Sequence, residues 1–134
     1  MAFVLDTSAV ADLLRAGHKS CTRMQRALDE VEPVLLCPVV LYETERGLLA
    51  KPEATSKRAR FVRLLQSLEY REMTDAAWLE ASRLWVETRK AGRPHADADL
   101  LIAAFAKVHE ASVVTHNTKD FEGLGVAVED WSGA

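Results

Sequence analysis

Phe3-Val4-Leu5-Asp6-Thr7-Ser8 sets three apolar residues before an acid and two hydroxyls, and its reading decides the fold. The triplet reads as a short buried strand ending at Asp6. Thr7-Ser8 then supplies helix-start chemistry for residues 9–16, and Gly17 closes that helix. The alternation continues outward. Residues 22–32 read as a helix stopped by Pro33, and Val34-Leu35-Leu36-Cys37 as a second strand. Pro38 opens a helix over 39–49 that carries Glu43, with Gly47 on the same face leaving room for close helix packing. A basic helix over 55–68, a strand at Tyr70 and a helix capped by Thr74-Asp75 and running to Lys90 follow. Asp97-Ala98-Asp99 lead into a helix over 100–106 that is apolar on nearly every face, and hence central. Residues 112–115 and 126–128 supply the last strands. Short strands apolar on both faces, alternating with helices, predict an α/β protein. The expected architecture is a three-layer α/β/α sandwich on a mainly parallel sheet of about five strands.

The 134 residues are 49% hydrophobic and 28% charged, ordinary values for one globular domain spanning 1–134. No repeat or low-complexity tract interrupts them. Cys21 and Cys37 are too few for a disulfide framework, which suggests reduced thiols and a cytoplasmic setting. Neither a basic leader nor an apolar run long enough to span a bilayer is present, so no membrane role is expected. A net charge of −3 lacks the bulk positive field of a strongly basic nucleic-acid binder. It still leaves bases free to meet phosphates if cations neutralise a group of acids.

In parallel sheets, sites form at the carboxyl ends of strands. Asp6 follows the first strand, Glu43 lies in the helix after the second, Asp99 opens the buried helix, and Thr115, Asn117 and Asp120 follow the fourth strand. Each has a plain alternative: Asp6 and Asp120 as caps or turn residues, Glu43 as a solvated acid, Asp99 as a first-turn acid favoured by the helix dipole. Asp97 reads first as the cap of the buried helix, and alternatively as an acid that assists the metal or faces solvent. Gathered carboxylates repel unless a hard cation neutralises them. Oxygen ligands select Mg²⁺ or Mn²⁺, whose remaining positions take water and substrate phosphate oxygens. Such a centre suits phosphodiester hydrolysis. His18, His95, His109 and His116 show no metal-ligand spacing, and no glycine-rich phosphate loop is present. Trp78 and Trp85, seven apart on one helical face, are expected to pack inside.

Four ordered motifs resemble the PIN-domain ribonucleases, and within them the VapC toxins of bacterial toxin–antitoxin pairs. They are Val4-Leu5-Asp6-Thr7-Ser8, Glu43-Thr44-Glu45-Arg46-Gly47, Asp99-Leu100-Leu101-Ile102-Ala103-Ala104 and Thr115-His116-Asn117-Thr118-Lys119-Asp120-Phe121. The resemblance spans the chain. It implies a PIN-like sandwich, metal ligation by Asp6, Glu43 and Asp99, and catalytic assistance from Asp120, with Asn117 standing at one position where the family carries an acid. It also gives Thr7, Thr115 and Asn117 a substrate-orienting role. The implied activity is Mg²⁺- or Mn²⁺-dependent endoribonuclease cleavage. Val128-Glu129-Asp130-Trp131-Ser132 resembles the tail of a subgroup that cuts initiator tRNA in the anticodon stem-loop. The implied partners are RNA, a second copy of the chain and a VapB-like antitoxin, with operon DNA reached only through that antitoxin. Arg58, Arg60 and Arg63, with Arg89, Lys90, Arg93 and His95 near the buried helix, are candidate phosphate contacts, Arg89, Arg93 and His95 foremost for RNA, though all read first as a solvated face. Leu13, Leu14, Val39, Val40, Leu48 and Leu49 read first as core, and alternatively as a groove or dimer seam.

Two rival readings belong to other classes. A receiver-like phospho-acceptor domain also gathers acids, a Thr and a Lys around Mg²⁺. It ranks lower because Asp6 is followed by Thr and because the middle strand, taken near Tyr70-Arg71, ends without an Asp. A non-catalytic regulator acting with its antitoxin on operon DNA is the other.

Overall fold

The computed structural model describes residues 1–133. Its elements alternate as the apolar pattern predicts: β1 (Ala2–Leu5), α1 (Thr7–Leu13), α2 (Lys19–Asp29), β2 (Val34–Leu36), α3 (Pro38–Leu49), α4 (Thr55–Leu65), β3 (Glu69–Tyr70), α5 (Asp75–Lys90), α6 (Asp97–Val108), β4 (Ala111–Val114) and β5 (Val128–Glu129). A 3₁₀ turn at Thr118–Phe121 joins the last two strands. All five strands pair in parallel, in the order β3-β2-β1-β4-β5. Helices α1–α4 lie in the crossovers from β1 to β2 to β3, and α5 and α6 in the return from β3 to β4; the right-handed rule for parallel crossovers sets the two groups on opposite faces. The chain therefore reverses its direction of travel across the sheet between β1 and β4. That junction is the switch point at which parallel sheets open a crevice at their carboxyl edge.

The core explains the short strands. Phe3, Val4, Leu5, Val34, Val113 and Val114 are at most 1% exposed, so both faces of the middle strands are covered. Ile102 to Ala106 in α6 are likewise buried, which accounts for a helix apolar all round. Phe3 also receives the edge of Trp131, with ring centroids 5.2 Å apart, and the Arg23 guanidinium stacks on both rings. Among the described residues no helix is long and apolar enough to cross a membrane.

Several local expectations need correction. Asp6 itself caps α1, which ends at Leu13, three residues before the expected end. Helix α2 starts earlier than expected because His18 caps it, its Nδ1 accepting the Ser20 N–H at 3.1 Å. Asp97 is not a cap: Ala96 holds that position without a side-chain bond, and Asp97 lies exposed in the first turn. Gly47 does not serve close helix packing, since a Cβ there would meet nothing within 4 Å. Trp78 and Trp85 are 51% and 42% exposed, because α5 packs through Ala77, Ala81, Leu84 and Thr88 instead. Leu13, Leu14 and Val40 are core, but Leu49 is 70% exposed. Arg58 and Arg60 are clamps rather than a solvated face, donating to the Leu48 carbonyl at 2.8 Å and the Leu13 carbonyl at 3.2 Å. Cys37 is buried and Cys21 partly so, and both are free thiols. The middle strand in space is β1, which does end on an acid, whereas β3 lies at the sheet edge. The receiver reading fails on topology instead: its strands run β2-β1-β3-β4-β5.

Candidate active site

Register builds the site. Leu5 pairs with Val114, so Asp6 and Thr115, each one residue past its strand, arrive side by side at the switch point. The Asp6 N–H extends the ladder to the Val114 carbonyl at 2.9 Å. Asp6 is 5% exposed, and its Oδ1 accepts the Ala9 N–H at 2.8 Å and the Ser8 hydroxyl at 2.7 Å. Burial raises its pKa above the ordinary carboxylate value, and hydrogen bonding by Thr115, Ala9 and Ser8 opposes that rise. The Ser8 hydroxyl stands 3.2 Å from the Thr115 hydroxyl and accepts the His116 N–H at 3.2 Å. Thr115, fully buried, accepts the Asn117 N–H at 2.9 Å. The Asn117 side chain is exposed.

Glu43 approaches from α3. Its Oε1 accepts the Thr7 hydroxyl at 2.6 Å and its Oε2 faces Arg46 at 3.5 Å. Asp99, in the first turn of α6, is pushed up to about 6 by burial and then by the negative charges of Asp120, Asp6 and Glu43, with His95 opposing. That coupling places all four predicted acids in one electrostatic neighbourhood. Asp120 itself is exposed.

Two clefts meet these acids. One, of about 540 Å³, is lined by Arg93, His95, Asp99, Lys119 and Asp120. The other, of about 520 Å³, is a more apolar groove lined by Thr7, Ala11, Leu14, Glu43, Gly47 and Leu48. The His95 ring is fixed between the Arg93 carbonyl at 2.8 Å and the Glu122 carbonyl at 3.0 Å. Arg93 and His95 thus border the acids, whereas Arg89 lies over the Trp85 ring at 4.1 Å, outside the residues lining this cleft.

The donors fit a hard divalent ion in chemistry, since all are carboxylate oxygens whose mutual repulsion a cation would relieve. Their geometry is looser. Among the described residues no group of three or more His, Cys, Asp or Glu side chains is gathered to grip an ion. Asp6 and Glu43 instead spend oxygens on Ala9, Ser8, Thr7 and Arg46.

Two features are not legible in the sequence. Ser8 reads there as a helix-start residue, not as the hydroxyl that links Asp6 to Thr115. Asp12, 3% exposed, holds His116 Nδ1 at 2.8 Å and faces His18 Nε2 at 3.6 Å, fixing the β4 exit. The spacing of Asp12 six residues after Asp6, on the helix it caps, is a signal only once β4 is known to lie beside β1.

A parallel α/β sheet that opens a crevice at its switch point defines a class of folds rather than one protein. The PIN-domain family model matches residues 3–126, and the chain belongs to that family. All four acids fall within the match, and the tail at Trp131 falls outside it. Among solved structures, a chain of the VapBC2 complex from Rickettsia felis, bound to a promoter DNA fragment, superposes with a TM-score of 0.88 at 22% identity, over 98% of this chain and 99% of that one. FitAcB from Neisseria gonorrhoeae gives 0.78 at 25% identity, over 96% and 97%. VapBC-5 from Mycobacterium tuberculosis gives 0.66 at 26%, over 96% of each. Among curated proteins no sequence matches. PIN domains are generally nucleases that use divalent metals.

Proposed function

We propose that the chain is a VapC-type toxin: a Mg²⁺- or Mn²⁺-dependent endoribonuclease, acting on tRNA, held in check by a VapB-like antitoxin and working as a homodimer in the cytoplasm. The observation that carries this reading is the placing of Asp6 at the β1/β4 switch point, with Glu43 bound to the adjacent Thr7 and with Asp99 and Asp120 lining one cleft. An acid cluster opposes an approaching phosphate unless cations bind, which favours a metal-assisted centre over a bare binding surface.

Asp6, Glu43 and Asp99 would hold the ion, which when bound supplies charge neutralisation and an activated water. Asp120, which lines the same cleft as Arg93 and His95, assists. Thr7 steadies Glu43 through its 2.6 Å hydrogen bond, and Thr115 and Ser8 steady Asp6. Asn117 orients substrate. Arg93 and His95 meet RNA phosphates beside the acids. Arg89 serves RNA less well, since it stands away from that cleft. The apolar groove against Thr7 and Glu43 suits an antitoxin helix whose basic side chain reaches the acids. The similar complexes solved with DNA support operon regulation through the antitoxin.

Purified chain free of antitoxin is incubated with total tRNA in Mg²⁺, Mn²⁺ or EDTA, beside an Asp99→Asn variant, and fragment ends are mapped. The expected result is a discrete, metal-dependent cut in an anticodon stem-loop that the variant loses. Equal cleavage by the variant, or cleavage in EDTA, overturns the reading.

A further inference from the structure

The cleft that holds Asp99 and Asp120 has walls from two distant parts of the chain. The loop from α5 into α6, residues 91–96, leads to Asp99, and the 3₁₀ turn Thr118–Phe121, ending at Glu122, carries Asp120. Each wall is anchored at its back. The Arg93 N–H binds the Thr88 carbonyl at 2.8 Å where α5 ends, and Phe121 and Leu124 are buried in the core.

A single side chain joins the two walls. His95, half-buried, sets its Nδ1 2.8 Å from the Arg93 carbonyl on its own wall and its Nε2 3.0 Å from the Glu122 carbonyl on the other. Among the described residues no other hydrogen bond or ion pair links 91–96 to 118–123. The charged groups lining the clefts on either side of the ring are Glu87 on α5, Arg93 on its own loop, Asp99 on α6, and Lys119, Asp120 and Glu122 on the turn. None of the acids makes an ion pair with the ring, so the two carbonyls alone fix it.

A carbonyl oxygen only accepts, so each ring nitrogen has to bring a proton. A neutral imidazole has one N–H and would turn the lone pair of its other nitrogen against a carbonyl lone pair, whereas the imidazolium serves both oxygens. Both N–H groups are then committed. His95 offers RNA its charge but no free donor, which separates its part from that of Arg93 beside it.

We infer that His95 is a positioning residue: a doubly protonated strap that ties the wall bearing Asp99 to the wall bearing Asp120 and so sets the width of the cleft. Its effect on catalysis rests on the proposed nuclease, and the strap itself does not.

Nitrogen-15 NMR of the full chain without added metal tests the strap, with His95→Gln identifying the signals. Both His95 ring nitrogens are expected to carry protons held against exchange with water; one proton-free ring nitrogen overturns the inference. Two variants separate holding from charge. His95→Lys keeps a cation, but one ammonium nitrogen does not span two carbonyls on opposite edges of a ring, and His95→Gln keeps an amide donor without the charge. Both should speed amide hydrogen exchange in 91–96 and 118–123 by about tenfold and leave the pairing of β1 with β4 protected. Unchanged exchange in those segments, or an equal rise throughout the chain, contradicts a local strap. In tRNA cleavage with Mn²⁺, both variants should lower kcat about tenfold and hold KM within about twofold. Full activity in His95→Lys, with a loss through KM in His95→Gln alone, makes His95 a phosphate contact and rejects the strap. A wild type that cleaves nothing removes the proposed nuclease, while the NMR and exchange results still decide the strap.

Discussion

Asp99 works against the fold that holds it. Its folded-state pKa of about 6 lies above the ordinary value of 3.8, so ionising it favours the unfolded chain. The penalty is present above pH 6 and fades as pH falls toward 4; Asp6 is shifted in the same direction. In EDTA the protein is therefore expected to gain thermal stability between pH 7 and pH 5, the reverse of ordinary acid loss, as a pH series of melting curves will show. Asp99→Asn removes the penalty and should raise stability at pH 7 by about 1–2 kcal/mol, the shift being discounted for partial exposure, while abolishing RNA cleavage. Ser8→Ala removes one hydrogen bond from Asp6 and the link to Thr115. It should cost about 1 kcal/mol in a denaturant titration and lower the cleavage rate more than the affinity for RNA. The acids were legible because each follows a recognisable strand or opens a recognisable helix. Ser8 and Asp12 were not, because their partners Thr115 and His116 lie more than a hundred residues away in sequence and meet them only through the pairing of β1 with β4.

Among the elements, α5 is the instructive case. The seven-residue spacing of Trp78 and Trp85 places them on one face, but periodicity does not say which face meets the protein. The small residues Ala77 and Ala81 take the inside because they let α5 approach α6 closely, and the tryptophans are left outside. The start of α5 was legible for a local reason: the Thr74 hydroxyl accepts the Ala77 N–H at 3.2 Å. Thr74→Ala should cost about 1 kcal/mol, measurable by thermal melting, without touching the acids. At the start of α6 side-chain chemistry alone misleads. Asp97 has the side chain of a cap, yet the backbone turns one residue earlier, at Ala96, and leaves Asp97 exposed in the first turn.

For the whole molecule, parallel pairing follows from helices between every pair of short apolar strands up to β4. Strand order does not, because it depends on which crossover returns across the sheet. That return sets β4 beside β1 and so creates the crevice where Asp6 and Thr115 meet. The arrangement predicts that a divalent ion stabilises the whole fold through this one junction. At an ion concentration about a hundred times its dissociation constant, the stabilisation should be about 2.7 kcal/mol, read as a rise in melting temperature that Asp99→Asn loses. The most direct test of the central claim, that these acids act as one cation centre, is calorimetric titration of Mn²⁺ into wild-type and Asp99→Asn protein at pH 7.5. Saturable binding in the wild type that the variant weakens by at least tenfold is the predicted result; equal binding by both proteins, or none by the wild type, contradicts it.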